Sequence, residues 1–173
     1  VGFILDAPYT IRPNDSLQKV WQQKIKTGIN CFIVTDETNR VLGILSGRDY
    51  QFVESPKTPV YKLMTPRQKL IIGNKKTSIK EAKKIFASHK VEKLPLVDSG
   101  GKLVGLITAR SVRNFEKFPY STKDRYGRYR VGAAVGVVND YLERTKALLD
   151  AGADIIVVDV AHGHNDVSLR AIK

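Results

Sequence analysis

The chain repeats itself at a fixed offset of 62 residues. Asp36–Arg48 reads D-E-T-N-R-V-L-G-I-L-S-G-R, and Asp98–Arg110 reads D-S-G-G-K-L-V-G-L-I-T-A-R, with no gap between them. Asp36 falls on Asp98, Arg40 on Lys102, Gly43 on Gly105, Ser46 on Thr108 and Arg48 on Arg110; upstream, Leu17 falls on Ile79 and Val20 on Ala82. Self-similarity of this kind marks one supersecondary unit used twice. Each copy opens with an N-cap candidate, Asp15 or Ser16 and Thr77 or Ser78. A helix follows, with apolar residues at Leu17, Val20, Trp21 and Ile25, or at Ile79, Ala82, Ile85 and Phe86. A strand (Cys31–Val34 or Leu94–Val97), a polar turn (Asp36–Arg40 or Asp98–Lys102) and a second strand (Val41–Leu45 or Leu103–Ile107) lead to a second helix near Arg48 or Arg110. The order β-α-β-β-α is an α+β half-domain. One copy is too small to cover its own sheet, so two copies are expected to pack about a pseudo-two-fold axis. The pair spans residues 5–115, with repeat 1 at about 9–53 and repeat 2 at about 71–115.

The pattern stops at Glu116. Residues 116–130 are polar, punctuated by Pro119 and Gly127, and read as a linker. Residues 131–173 read as β-α-β: a strand at Val131–Val135, a helix at Asp140–Leu149 with Leu142, Ala147, Leu148 and Leu149 as its apolar positions, and a strand at Ile155–Val158. The unbroken branched run of that last strand predicts burial on both faces in a parallel sheet, as in an α/β (β/α)8 barrel. The 43 residues after the linker are a piece of such a barrel, which takes about 250. Functional residues of that fold gather at the C-terminal ends of strands, here Asp159-Val160-Ala161-His162-Gly163-His164.

Charge and composition narrow the function classes. The net charge is +12, and residues 1–115 carry 20 Lys and Arg against 9 Asp and Glu, whereas residues 131–173 carry 4 against 6. The excess suits a polyanionic ligand such as nucleotide phosphate. Nucleic acid is disfavoured, because no aromatic residues interleave with the basic ones as a stacking platform. Even the longest apolar runs, such as Ile155–Val158, are too short to cross a bilayer. Cys31, the single cysteine, rules out an internal disulfide or thiolate zinc site and points to a reducing compartment. The first residues, Val1–Asp6, lack the features of a signal peptide and suggest a start inside a longer product.

Lys93-Leu94-Pro95-Leu96-Val97-Asp98 followed by Gly105-Leu106-Ile107-Thr108 resembles a CBS repeat, and two in tandem resemble a Bateman module, a binder of adenine or guanine nucleotides. The chemistry is intelligible from the residues. A Ser or Thr at a strand end beside free backbone N–H groups suits phosphate, and an Asp three residues later can accept from a ribose diol. The resemblance therefore implies phosphate contacts at Ser46, Arg48, Thr108 and Arg110 and a ribose contact at Asp49. The second copy departs from the pattern, with Ser111 in the place of the Asp, so the first site is the stronger candidate.

The tail resembles the IMP dehydrogenase / GMP reductase family, in which a Bateman module is inserted into a catalytic (β/α)8 barrel. The matching stretches are Arg130–Gly136, Asp154–Asp159 and Ala161–His164. The resemblance implies a segment of an NAD-dependent oxidoreductase that converts IMP to XMP, with Asp159 contacting the nicotinamide ribose. A CBS-containing GMP reductase and a stand-alone nucleotide-binding module are the alternatives. It also implies regulatory ATP, GTP or GDP, a potassium ion in the parent enzyme without ligands in this sequence, and a homo-tetramer that nucleotide pairs into octamers. A cytoplasmic enzyme is expected, with a peroxisome-like organelle as the other location open. Nothing matches the family's catalytic Cys loop, so the segment alone is expected to be inactive. Cys31 reads as a core residue, His89 as structural, and His162 and His164 as loop residues rather than a metal pair.

Overall fold

A computed structural model describes residues 3–125 and 128–173. The chain divides into two compact units, up to Tyr120 and from Ser121 onward, each taken by itself below.

The first unit holds the repeats. β1 (Ile4–Leu5) and β2 (Thr10–Ile11) precede α1 (Leu17–Thr27), β3 (Cys31–Thr35), β4 (Val41–Ser46) and the single turn α2 (Gly47–Tyr50). β5 (Thr65–Pro66), flanked by 3₁₀ turns at Val60–Lys62 and Arg67–Lys69, leads to α3 (Ile79–His89), β6 (Lys93–Val97), β7 (Leu103–Thr108) and α4 (Ala109–Lys117). One sheet runs β2-β3-β4-β5 and the other β1-β7-β6, with Gly73 bridging parallel to Leu96 where β2 lies beside β3 in the first repeat. Hence each repeat lends a strand to the other. β1 precedes repeat 1 but pairs with β7, and β5 precedes repeat 2 but pairs with β4.

Local devices recur at the same offset. Ser16 and Ser78 are the N-caps of α1 and α3, and α1 and α3 both end on a left-handed residue, Gly28 (φ 69°) and Lys90 (φ 52°). In both turns one carboxylate oxygen accepts two backbone N–H groups at 2.9 Å: Asp36 from Thr38 and Arg40, Asp98 from Gly100 and Lys102. These bonds, led by the one from Arg40, hold the Asp36 carboxyl below its ordinary range. Arg40 bridges Lys102, its own counterpart, and the flanking hydrogen bonds Val41 N–H to Gly101 (3.1 Å) and Leu103 N–H to Asn39 (2.9 Å) are also symmetric. The pseudo-two-fold axis passes through this contact. Beneath it Ile33, Val41, Val97, Leu103 and Leu106 form a buried cluster shared by both repeats, which is the joint core expected of the pair.

The exchanged strands explain the motif glycines. A Cβ on Gly43 would stand 2.7 Å from the Thr65 carbonyl oxygen, and one on Gly105 would stand 3.0 Å from an Ile4 methyl.

The repeats differ at one internal brace. Arg12 donates through Nη1 to the Thr35 carbonyl (3.2 Å), the Thr35 hydroxyl (2.7 Å) and the Asp36 carbonyl. The corresponding residues of repeat 2 are Asn74 and Val97, and there a cavity of about 650 Å³ lies between them, lined also by Lys75, Lys76 and Val104.

Three sequence expectations need correction. Ile25 is 85% exposed. At 100° per residue it lies about 110° round the helix from the midline of buried Leu17 and Val20, so it falls off the core face. The second unit consists of β8 (Gly132–Val135) parallel to β9 (Ile155–Val158), with α5 (Tyr141–Asp150) between them and α6 (Asp166–Ile172) after. Here β9 is open rather than doubly buried, with Ile155 and Val157 about half exposed, and Leu142 and Leu149 on α5 are also exposed. Two strands and α5 make too thin a layer to cover every apolar face; among the described residues of this unit only Val135 and Ser168 are buried. No helix among the described residues is long and apolar enough to cross a membrane.

Candidate functional site

β4 ends at Ser46, and the chain turns at once into α2, which places Ser46, Arg48 and Asp49 at one rim. Asp49 Oδ2 accepts from the Ser46 amide (2.6 Å) and hydroxyl (2.7 Å), so the carboxylate is held by the start of its own turn. That capping leaves Oδ1 as the oxygen available to a ligand diol. α2 stops after one turn, and Tyr50 faces inward, its hydroxyl donating to the Asn30 carbonyl at 3.1 Å.

These three residues line one cavity of about 220 Å³ together with parts of the other repeat and of the segment joining the two. Ile44, Leu70, Ile71 and Val91 give it apolar walls. Arg48, Lys69, Lys90 and Lys93 bring four cations to it, against the carboxylates of Asp49 and Glu92. Lys69 and Lys90 are exposed and Lys93 is half-buried. The arrangement can hold a planar apolar group against its walls, a diol at Asp49 and several anionic oxygens at its rim.

Thr108 and Arg110 lie outside this cavity. Thr108 caps α4 instead, accepting from the Ser111 amide at 2.9 Å, and Arg110 is exposed on the first turn of α4. Ser46, Arg48 and Asp49 thus share one cavity, and Lys69, Lys90 and Lys93, which their spacing in the sequence did not single out, line it with them. The signal was present: at the 62-residue offset these lysines stand opposite Ala7, Gly28 and Cys31.

Cys31 is buried, and burial pushes its thiol up to about 11 despite the neighbouring Lys93 ammonium. This fits the core role expected of it and excludes it as a nucleophile near neutral pH. In the second unit, Asp159 follows β9 and its amide donates to the Val135 carbonyl at 2.9 Å. Its carboxylate is exposed at the C-terminal end of the parallel pair, where it can accept from a ribose diol. His162 and His164 are exposed in the following loop, and no group of three metal-ligating side chains occurs among the described residues.

Comparison with known proteins agrees with this architecture. Residues 3–50 match the CBS domain, and residues 65–173 match the IMP dehydrogenase / GMP reductase domain. Inosine-5'-monophosphate dehydrogenase of Aquifex aeolicus is 40% identical over 99% of this chain, and that of Nitrosopumilus maritimus is 38% identical over 98%. The chain spans 35% of the length of each. A GMP reductase from Trypanosoma brucei, solved with guanosine 5'-triphosphate, superposes with a TM-score of 0.69 at 32% identity, covering 98% of this chain and 42% of that one. CBS domains of a transcriptional regulator from Streptococcus pneumoniae superpose at 0.57 with 25% identity over 64% of this chain and 93% of that one. The domain match alone takes in well over half of the residues, both the second repeat and the parallel β-α-β unit: the chain belongs to the IMP dehydrogenase / GMP reductase family.

Proposed function

We propose that this chain is the regulatory module and adjoining barrel segment of an IMP dehydrogenase, the enzyme that oxidises IMP to XMP with NAD and water. The observation that carries this reading is the relatives of that name at 37–40% identity, aligned across both repeats and the tail together. GMP reductase is the second reading, supported by the solved structures at 31–32% identity. In either enzyme the repeat pair senses a purine nucleotide such as ATP, GTP or GDP, its ribose at Asp49 and its phosphates toward Ser46 and Arg48. Thr108 and Arg110 would serve a second, weaker site.

NAD, when bound, accepts the hydride. Asp159 suits its ribose because the carboxylate is exposed, ends a parallel strand, and has no side-chain hydrogen bond within the described residues of its unit. The 173-residue chain alone is expected to leave IMP unoxidised, since its single thiol is the buried Cys31.

The test is an assay of the whole protein with both substrate pairs. IMP-dependent formation of NADH supports the first reading. Consumption of NADPH with GMP, and none of NAD with IMP, transfers it to the reductase. Binding of ATP, GTP or GDP to the present chain is measured separately by calorimetry; no binding at millimolar nucleotide refutes the sensing role.

A further inference from the structure

The cavity of about 650 Å³ beside the Asp98 turn shares no lining residue with the cavity at Ser46. The 62-residue offset shows how it arises. Repeat 1 has Arg12 and Leu42 where repeat 2 has the shorter Asn74 and Val104. The Arg12 guanidinium is bonded to Thr35 and Asp36, whereas the Asn74 side chain bonds only its own turn, accepting from the Lys76 amide at 2.8 Å. Charge is inverted at the same place. Repeat 1 sets one cation, Arg12, against the two carboxylates of Asp36 and Glu37; at the matching positions repeat 2 sets Lys75 and Lys76 against Asp98 alone.

What lines the hollow defines its ligand. The floor is apolar: Val97 is buried in the cluster shared by both repeats, Ile72 packs against that cluster, and Val104 packs on the core of repeat 2. The rim is exposed and supplies donors. Because the Asn74 amide oxygen accepts from the Lys76 backbone, its Nδ2 is left to donate. Lys76 Nζ and Ser99 Oγ have no partner among the described residues. Lys75 pairs with Asp6 at 3.3 Å, but at 59% and 30% exposure that pair is weak and leaves the ammonium open to a second carboxylate. Asp98 opposes an anion little, since one of its carboxylate oxygens is drawn into its own turn by the Gly100 and Lys102 amides. Donors over an apolar floor suit an anionic acceptor carried on an apolar body.

We propose that this cavity binds a small organic acid, an aromatic or branched apolar body bearing one carboxylate. The body lies on Ile72, Val97 and Val104, and the carboxylate meets Lys76, Lys75 and the Asn74 amide. The volume falls in the range of about 300–1,000 Å³ that holds compact organic ligands. The site is separate from the cleft at Ser46 and does not depend on the nucleotide-sensing reading.

Backbone-amide NMR of the 173-residue chain tests it, by titration with phenylacetate and indole-3-acetate beside their neutral amides and inorganic phosphate. The expected result is saturable shifts at residues 72–76 and 97–99, with a Kd on the order of 0.1–1 mM for the acids. The amides and phosphate are expected to bind roughly tenfold more weakly or worse. Lys76→Asn, which installs the repeat 1 residue at an exposed position, is expected to weaken the acids about tenfold and the amides less than about twofold. Asn74→Arg with Val97→Thr rebuilds the brace of repeat 1 inside the hollow and is expected to abolish binding without lowering Tm. Acids that bind no tighter than their amides, in the parent chain or relative to Lys76→Asn, would overturn the inference. Phosphate binding as tightly as the acids would reduce the cavity to a general anion patch and overturn it too. So would a double variant that still binds, shifts confined to Ser46–Asp49, or no shift up to about 10 mM acid.

Discussion

Arg12 offers a stringent test of how the first repeat is held together. Its guanidinium reaches the Thr35 hydroxyl at 2.7 Å and the carbonyls of Thr35 and Asp36, and Thr35 is fully buried. Arg12→Met keeps much of the aliphatic stem but leaves the Thr35 hydroxyl without this donor. A buried polar group stripped of its partner costs about 1–3 kcal/mol. The pair with Glu37, at 3.6 Å on a carboxylate that is 88% exposed, adds little. The expected destabilisation is therefore about 2 kcal/mol, or roughly 5–8 °C in Tm for a unit of this size. Repeat 2 tells what the remedy should be, since it folds with Asn74 and Val97 in these positions. Adding Thr35→Val to Arg12→Met removes the orphaned hydroxyl, and at least half of the lost stability should return. Trp21, the single tryptophan, packs on the same core, so urea unfolding followed by its fluorescence reports on this repeat. A loss under 0.5 kcal/mol for Arg12→Met, or a double variant as unstable as the single, would refute the brace.

The motif glycines should differ in tolerance: Gly43→Ala meets a backbone carbonyl and should cost about 2–3 kcal/mol by denaturant unfolding, whereas Gly105→Ala meets a methyl that can shift and should cost about 1. Cys31 should resist iodoacetamide at pH 8 in the folded chain and react on unfolding. Because its thiol is raised from 9.0 to about 11, its contribution to stability is full below pH 9 and is lost as the pH climbs toward 11; Cys31→Val should remove that alkaline component. In the whole enzyme, nucleotide should shift the oligomer toward octamers by light scattering, most at low salt. Bound phosphates offset the net +11 of residues 1–115, whose like charges otherwise oppose contact between modules. An unchanged mass despite measured nucleotide binding would refute that mechanism.

Much was legible in the residues because it is local. The 62-residue offset is carried by turn carboxylates, caps and apolar strands whose geometry depends on neighbours within five residues, so the paired turns at Asp36 and Asp98 follow from sequence alone, as do the helix starts to within one residue, the structure choosing Ser16 over Asp15 and Ser78 over Thr77. The parallel β8-α5-β9 unit was equally readable, but its exposure was not, since burial depends on which layers surround a strand. The exchange of β1 and β5 between repeats was hidden for a related reason. Two-residue strands carry no periodicity, and their partners lie about 100 and 20 residues away. The cleft shows the division most directly. Ser46 and Asp49 are three residues apart and announce themselves as a motif, but Lys69, Lys90 and Lys93 belong to other elements. The packing of the two repeats across their axis brings these cations to the same rim.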